Sequence, residues 1–250
     1  RQAPLVHNIT NYVVMNNTAN ALLALGASPV MAHAEQEAVE MTGIARALVV
    51  NIGTLSEPWV KSMFLAVRAA GARGIPVVLD PVGAGATPYR TKTVRDLMAA
   101  VSPAILRGNA SEIMAVHRDE VRTKGVDSDA ASSSALDAAR RIHERHGCVV
   151  CVSGETDYIV HEGGTIAVRN GHPMMPRVTG LGCTATALCG AFAAVENRPA
   201  RAASAAMAVM GVAGEIAAEG CPGPGSFQVR FLDALYALTE DDLRRRLNLT

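Results

Sequence analysis

Short runs rich in valine and isoleucine alternate along this chain with longer alanine-rich runs, and this alternation limits the folds open to it. Strands that are apolar on both faces are typical of a buried parallel sheet. Strand and helix alternating at this period indicate βαβ units with helices on both sides of the sheet. We therefore predict an α/β fold built as a single domain over residues 1–250. The predicted strands are residues 28–34, 47–54, 76–82, 104–108, 148–154, 158–160 and 165–169.

Turn-forming residues separate the predicted elements. Glycine marks expected helix ends at positions 26, 71, 74 and 147. Ser128 is a candidate N-cap, the charged stretch 118–127 predicts a surface loop, and residues 222–226 predict a tight turn. The predicted helices are residues 15–25, 57–70, 91–100, 111–116, 128–146, 183–195, 200–218 and 227–238.

Composition argues against two classes of partner. The 23 Lys and Arg residues balance the 23 Asp and Glu residues, so the chain lacks the basic excess that favours nucleic acids or anionic membranes. Aromatic residues make up only 4%, which is few for stacking on bases. The apolar runs are shorter than the roughly 18 residues that suggest a membrane span. We expect neither a nucleic-acid partner nor a membrane partner.

The five cysteines do not look like a disulfide framework, because their number is odd in a chain of 250 residues. We therefore expect a cytoplasmic protein. Cys148 and Cys151 have the spacing of a redox motif but lie in a predicted buried strand. Side chains three residues apart in a strand point to opposite faces, which argues against a redox or metal pair.

Polar clusters follow several of the predicted strands. In an open α/β sheet, ligands bind at the carboxyl ends of the strands, so these clusters are expected along one edge. Together they are a stronger signal than any one of them alone. The clusters are residues 51–54 (NIGT), 80–86 (DPVGAGA), 107–112 (RGNASE) and 153–155 (SGE).

A glycine-rich turn leads directly into an alanine-rich helix at residues 179–186 (TGLGCTAT). The start of a helix presents unpaired N–H groups and the positive end of the helix dipole, which favour anions. Glycines let the backbone approach a phosphate closely. Cys183 stands at this junction, where a transferring phosphoryl group is expected, and a helix N-terminus is expected to lower the pKa of its thiol.

Phosphoryl transfer needs a cradle for phosphates, a cation and a group that receives the alcohol's proton. The carboxylates of Asp80 and Glu112 are candidates for holding Mg²⁺, in part through water. The planar guanidinium of Arg107 suits a phosphate. Asn109 and Ser153 are further candidates for contacting the nucleotide, and Asn109 could instead brace its loop.

Each of these residues also fits a purely structural role. Asp80 could belong to a strand-end turn, Glu112 could cap a helix, and Arg107 could form a surface ion pair. Cys183 could be a small buried apolar residue, and Met31 could be a core methionine.

The chain resembles the hydroxyethylthiazole kinase family, a thiamine-salvage member of the ribokinase-like superfamily. The resemblance runs from Pro4 to about Leu238. Most of the superfamily carries Asp where this chain has Cys183, whereas the thiazole kinases carry Cys. Two departures are Leu181, where a smaller residue is common, and Ser153, where Thr is common. The matching segments are residues 7–11 (HNITN), 26–31 (GASPVM), 51–55 (NIGTL), 79–85 (LDPVGAG), 107–112 (RGNASE), 178–183 (VTGLGC) and 224–227 (PGSF).

The resemblance implies a three-layer αβα ribokinase-like fold and ATP-dependent phosphorylation of the primary alcohol of 4-methyl-5-(2-hydroxyethyl)thiazole. It also implies Mg²⁺ and a homotrimer with active sites between subunits. Soft methionine contacts suit an uncharged, sulfur-containing ring. By position, the resemblance implies that Met31, Gly180 and Asn11 contact the thiazole, with Asn11 coming from either the same or a neighbouring subunit. It implies that Arg107 and Ser153 contact ATP. It places Asp80 and Glu112 at the metal and the phosphates.

Cys183 is expected to orient the alcohol for in-line attack and to be at most a weak base, because a loose transition state depends little on a strong base.

The rival interpretations are a hydroxymethylpyrimidine or sugar kinase of the same fold and an inactive sensor of a thiamine precursor. A nicotinamide-dependent dehydrogenase is set aside, because its glycine fingerprint belongs after the first strand.

Overall fold

The computed structural model describes residues 2–118 and 128–250. Within these residues, eight strands form one sheet flanked by helices. The predicted loop 118–127 and the side chain of Ser128 lie outside the described part, apart from Arg118. The strands are β1 (Leu5–Ile9), β2 (Ser28–Val30), β3 (Ala47–Asn51), β4 (Val77–Asp80), β5 (Ile105–Asn109), β6 (Val149–Ser153), β7 (Asp157–His161) and β8 (Gly164–Val168).

The helices fall between and after these strands, and a short 3-10 turn covers Met175–Arg177. Among the described helices, none combines the length and hydrophobicity needed to cross a bilayer. The helices are α1 (Met15–Leu25), α2 (Ala38–Ile44), α3 (Glu57–Arg73), α4 (Pro88–Ala100), α5 (Ala110–His117), α6 (Ser128–His146), α7 (Leu181–Ala193), α8 (Pro199–Ala218), α9 (Pro224–Ala237) and α10 (Glu240–Arg246).

The sheet separates two hydrophobic cores, which gives the predicted three layers. Val49 packs with α1, α7, α8 and α9, whereas its neighbours Leu48 and Val50 pack with α3 to α6 on the opposite face. Cys148 and Cys151 divide between the same two cores, so they cannot act as a pair. Burial on both faces explains why these strands are apolar throughout.

Strand order places the polar strand ends side by side. The sheet runs β2-β1-β3-β4-β5-β6-β7-β8, with parallel pairing from β2 to β6 and antiparallel pairing of β7 and β8. The carboxyl ends of β1 to β6 therefore share one edge, as predicted, and β8 also ends there because it runs in the same direction as β6. At about 4.8 Å per strand, the six neighbouring ends from β2 to β6 extend over about 24 Å.

Several boundaries differ from the predictions for local physical reasons. Gly71 lies inside α3 because the left-handed cap is Gly74, and Pro224 is the first residue of α9 rather than part of a preceding turn. Strand β1 was not predicted, because it contains His7 and Asn8, which are fully buried polar side chains. Helices α2 and α10 were also not predicted.

Candidate active site

The described edge orders the predicted residues along the sheet. Met31 follows β2 at one end and Asn11 follows β1 next to it. Asn51 ends β3 and pairs in register with Asp80 at the end of β4. Further along, Asn109 on β5 pairs in register with Ser153 on β6, and Arg107 lies two residues before Asn109. One row of strand ends therefore brings together all the predicted side chains that strands carry.

The glycine turn places the start of α7 over this row. Gly180 has φ +84°, a left-handed conformation that favours glycine, and a Cβ there would lie 2.7 Å from Val14 Cγ1. Gly182 approaches Arg107 so closely that a Cβ would lie 3.0 Å from its Nη1. The first helical bond runs from the N–H of Thr184 to the carbonyl of Gly180, at 2.8 Å. The N–H groups before Thr184 thus face outward from the helix end, as an anion site requires.

Asp80 is the most deeply buried acid of the row, with 1% of its surface exposed. Its Oδ2 accepts hydrogen bonds from Asn51 Nδ2 at 2.9 Å and from Thr186 Oγ1 at 2.7 Å. Burial raises the pKa of Asp80 to about 6, although Arg107 and the two hydrogen bonds oppose that shift. Asp80 is therefore an organised, desolvated carboxyl group at the end of β4, directly before the turn that the sequence left open as its structural role.

Cys183 lies in the third position of α7, one helical turn before Thr186. Asn11 Nδ2 donates to Asn51 Oδ1 at 2.8 Å and reaches Cys183 Sγ at 3.5 Å within the same chain. The sequence predicted a lowered pKa for this thiol, and that prediction is wrong. Burial, reinforced by the nearby charge of Asp80, raises the pKa of Cys183 to about 11. The residue is a protonated thiol at neutral pH.

Arg107 is buried and points toward a large cleft. Its Nη2 donates to Ser153 Oγ at 2.7 Å, so the structure does not bear out a surface ion pair. Its buried Nε has no hydrogen-bond partner among the described residues, which leaves a donor for a ligand. The cleft has a volume of about 950 Å³ and is lined by Arg107, Ser153, Gly180, Met207 and Met210 among others.

Glu112 and Asn109 form the start of α5 in addition to lying at the edge. Asn109 Oδ1 accepts from the N–H of Glu112, and Glu112 Oε2 accepts from the N–H of Asn109, each at 2.9 Å. Glu112 Oε1 also accepts from the N–H of Gly83 at 2.9 Å, which ties the loop after β4 to α5. Both side chains thus hold local structure, one of the roles that the sequence left open for each.

Met31 is half-buried at the far end of the row from the cleft. Ala32, the residue after Met31, is held by a hydrogen bond to strand β1, because His7 Nε2 lies 2.7 Å from its carbonyl oxygen. A carbonyl can only accept, so Nε2 carries the hydrogen and Nδ1 faces Thr42 Oγ1 at 2.9 Å. Burial lowers the pKa of His7, which keeps the ring neutral. The Met31 segment is therefore anchored to the sheet.

Asn51 and Thr186 are functional candidates that sequence reasoning did not single out. Asn51 links Asn11 to Asp80, and Thr186 ties α7 to the same carboxyl group. Both residues belong to segments that the sequence analysis named, residues 51–54 and 179–186. Their positions could have indicated them, because Asn51 ends a valine-rich strand and Thr186 follows Cys183 by three residues.

The donor set suits a weakly held, hydrated cation. Among the described residues, no three His, Cys, Asp or Glu side chains cluster closely enough to hold a metal by themselves. Mg²⁺ usually takes one or two carboxylates, several waters and substrate phosphates, so two acids at one edge fit it. Asp80 and Glu112 lie close enough for the charge of Glu112 to raise the pKa of Asp80 further.

Comparison with known proteins decides the family. The hydroxyethylthiazole kinase family matches residues 1–241. Hydroxyethylthiazole kinase of Syntrophus aciditrophicus (strain SB) is 64% identical over 249 residues, covering 99% of this chain and 92% of that protein. The chain belongs to the hydroxyethylthiazole kinase family. Membership in a kinase family implies a nucleotide co-substrate.

Solved structures agree with this family assignment. A hydroxyethylthiazole kinase protein from Pyrococcus horikoshii OT3 has a TM-score of 0.91 at 44% identity, covering 100% of this chain and 94% of that one. Pyridoxal kinase from Staphylococcus aureus, solved with AMP-PCP and pyridoxal, has a TM-score of 0.66 at 14% identity over 85% of this chain and 88% of that one, which shows the fold alone. The predicted family, its enzyme class and the mostly parallel ribokinase-like fold are confirmed.

Proposed function

We propose that this kinase transfers the γ-phosphate of ATP to the primary alcohol of 4-methyl-5-(2-hydroxyethyl)thiazole in thiamine salvage. One observation carries the proposal: Cys183 lies at a helix N-terminus, bonded to the Asn11–Asn51 pair on the side away from the cleft. The row of strand ends continues past Cys183 to Arg107 and Ser153, which line the cleft. Two substrates approaching from opposite ends would meet at this helix start.

The two ends of the row differ in chemistry as the two substrates do. Met31 and Asn11 provide an apolar thioether and an amide, which suit an uncharged heteroaromatic ring. Gly180 lies between the two ends at the start of α7, where we assign its backbone turn to the ring although it also lines the cleft. Arg107 and Ser153 provide a guanidinium and a hydroxyl, which suit the phosphates of ATP. We assign Asn109 an indirect role on the nucleotide side: it caps α5 and so shapes the backbone after β5, and it does not itself contact ATP.

We assign Mg²⁺ to Asp80 and Glu112, with water completing its coordination shell. When bound, the ion offsets the negative charge of the phosphates. Asp80 contributes a carboxyl group already oriented by Asn51 and Thr186. Glu112 contributes through its position at the loop after β4, where it also holds Gly83.

In this proposal Cys183 orients the substrate alcohol but does not remove its proton. A thiol with a pKa of about 11 is a poor base at neutral pH. The outward N–H groups at the start of α7 stabilise charge on the transferring phosphoryl group. Because a loose transition state needs no strong base, the alcohol's proton passes to an oxygen of the transferred phosphoryl group and from there to solvent.

We also retain a homotrimer with sites between subunits and a cytoplasmic location as proposals. Asn11 approaches Cys183 of its own chain, which supports assigning it to its own subunit's site. The neighbouring residues Tyr12 and Val13 are exposed by 63% and 61% and are available for contact with another subunit. All five cysteines are free thiols, which suits a reducing compartment.

The deciding experiment measures ADP release with Mg²⁺ for hydroxyethylthiazole, hydroxymethylpyrimidine, ribose and no acceptor. We expect turnover with the thiazole alone, and loss of roughly a hundredfold or more in Asp80→Asn, which keeps the side chain's shape but not its charge. Turnover with another acceptor would overturn the thiazole assignment. Thiazole binding without turnover would favour the sensor interpretation.

A further inference from the structure

Asn170 is a buried polar residue that the reaction scheme does not use. It follows β8, lines the large cleft and is only 5% exposed. Its Nδ2 donates to Glu215 Oε1 at 2.8 Å and to the carbonyl of Arg246 at 2.7 Å. Its Oδ1 accepts from the N–H of Asn248 at 2.8 Å. Both donors and the acceptor are thus engaged, and one side chain joins β8 to α8 and to the residues after α10.

The segment after α10 completes the edge of the sheet beside Asn170. The N–H of Ala167 donates to the carbonyl of Thr250 at 2.7 Å, and the N–H of Thr250 donates back at 3.0 Å. The N–H of Arg169 donates to the carbonyl of Asn248 at 2.9 Å. Residues 248–250 therefore occupy backbone groups that an edge strand otherwise leaves open.

Helix α8 holds the same wall from the other side. The carboxylate of Glu215 accepts from the N–H of Gly171 at 3.1 Å as well as from Asn170. A Cβ on Gly211 would lie 2.5 Å from Asn170 Cβ and 2.6 Å from its carbonyl oxygen. The wall segment consequently lies directly against the helix backbone and cannot move closer to α8.

These contacts determine the shape of one wall of the cleft. Gly171, His172 and Met175 continue the lining from Asn170. The contacts with Glu215, Arg246 and Asn248 fix Asn170 and Gly171 in place, and His172 follows Gly171 directly in the chain. Arg107 and Ser153 lie on other strands and bond to each other, so the opposite part of the cleft does not depend on Asn170.

We propose that Asn170 is a positioning residue for the nucleotide, which holds the wall formed by Gly171 and His172 by tying it to α8 and to residues 246–250. This inference rests on the proposed function, because it places ATP in this cleft. Asn170 acts through its neighbours and not on the reacting atoms, since its own hydrogen-bonding groups are already occupied. Ordering of the wall is then part of the free energy of nucleotide binding.

The test compares Asn170→Ala, Glu215→Gln and a chain ending at Arg246 with wild type. We expect Asn170→Ala and the shortened chain to raise the KM for ATP about tenfold, which corresponds to about 1.4 kcal/mol. The KM for the thiazole should be unchanged and kcat should fall less than about threefold. Glu215→Gln keeps an oxygen that accepts from Asn170 and Gly171, so it should raise the KM for ATP only two- to threefold. Calorimetry with a non-hydrolysable ATP analogue should show the same order of affinities.

Gly74→Ala is the matched control for a loss of stability alone. Gly74 ends α3 with φ +67° and has open space around it, so alanine strains the backbone without touching the cleft. Its KM for ATP should equal that of wild type. Should Asn170→Ala fail to fold, the shortened chain and Glu215→Gln still decide the question.

Two failures are distinguishable. If wild type binds the nucleotide and phosphorylates the thiazole, but the variants keep the wild-type KM for ATP, the role of Asn170 is overturned and the proposed function stands. An equal rise in both KM values would also overturn it, since that points to general distortion. If wild type neither binds nor uses ATP, the proposed function fails and this inference fails with it.

Discussion

At Cys183, burial next to a carboxyl group outweighs the helix N-terminus and raises the pKa of the thiol to about 11. We predict that Cys183→Ala lowers kcat only about tenfold, because it removes an orienting contact and not a base. Loss of a true general base typically costs between 10² and 10⁴ in rate. The measurement is kcat at saturating substrates, with Cys183→Ser as the variant that keeps a hydrogen-bonding group. A folded Cys183→Ala with a loss of about a hundredfold or more would contradict the positioning role.

His7 carries a pH dependence of stability. Burial lowers its pKa from 6.5, although Ala32 and Glu37 oppose the shift, so the unfolded chain binds the proton more tightly than the folded one. Stability from this residue is therefore complete above pH 6.5 and falls as the pH drops, by at most about 1.4 kcal/mol per pH unit. We expect urea unfolding at pH 7.5 and 5.5 to show a larger loss for wild type than for His7→Gln.

The comparison of the two proteins isolates His7 from other titrating groups. Burial raises the pKa values of Asp80 and Asp157 to about 6, which favours the folded state as the pH falls toward 4, opposite in sign to His7. These carboxyl groups are present in both proteins and cancel in the difference. Equal pH dependence in wild type and His7→Gln would show that the ring is not held neutral.

At the scale of elements, the contact of α7 with the sheet depends on a glycine. A Cβ on Gly190 would lie 2.4 Å from Val49 Cγ2 and 3.3 Å from Val6 Cγ1, both on strands beneath the helix. We predict that Gly190→Ala destabilises the protein by about 2 kcal/mol, as overpacking of a filled core does. Gly225→Ala in α9 is the matched control, because nothing lies within 4 Å of the added carbon. It should be neutral or stabilising by up to about 1 kcal/mol. Urea unfolding measures both, and equal effects would contradict the packing argument.

The elements that the sequence predicted best are those whose signals are local. Helix α1 and helix α6 begin and end as predicted, and Gly26 and Gly74 terminate helices in left-handed conformations. Strand β1 was not predicted because it contains buried polar residues, which local patterns do not associate with a strand. Their hydrogen-bond partners are distant in sequence, as Thr42 is for His7. Helix α10 carries three acidic residues and then three arginines, and none of its residues is buried. It therefore lacks the apolar face from which a helix is predicted.

At the scale of the whole molecule, the sequence placed the predicted site residues together at one edge of the sheet but did not predict the hydrogen bonds between them. The rule that ligands bind at strand carboxyl ends gathered Asp80, Arg107 and Ser153 without any contact being known. The strand order that sets Asn51 between Asn11 and Asp80 is a long-range property, and local patterns do not encode it. The prediction of a lowered pKa for Cys183 was wrong for the same reason, because the burial that raises this pKa depends on the residues packed around α7.

The proposed assembly gives the last prediction. Val13 is 61% exposed and lies two residues after Asn11, on the surface next to the thiazole end of the site. If subunits meet there, Val13→Glu buries a carboxylate in the interface, at a cost of several kcal/mol. We expect light scattering to give three chains per particle for wild type and a smaller particle with reduced activity for Val13→Glu. Val229 on α9 is equally exposed at 63%, so Val229→Glu tests the effect of a new surface charge alone and should leave mass and activity unchanged. A wild-type monomer with full activity would remove the shared-site assembly, because every group needed for turnover would then come from one chain.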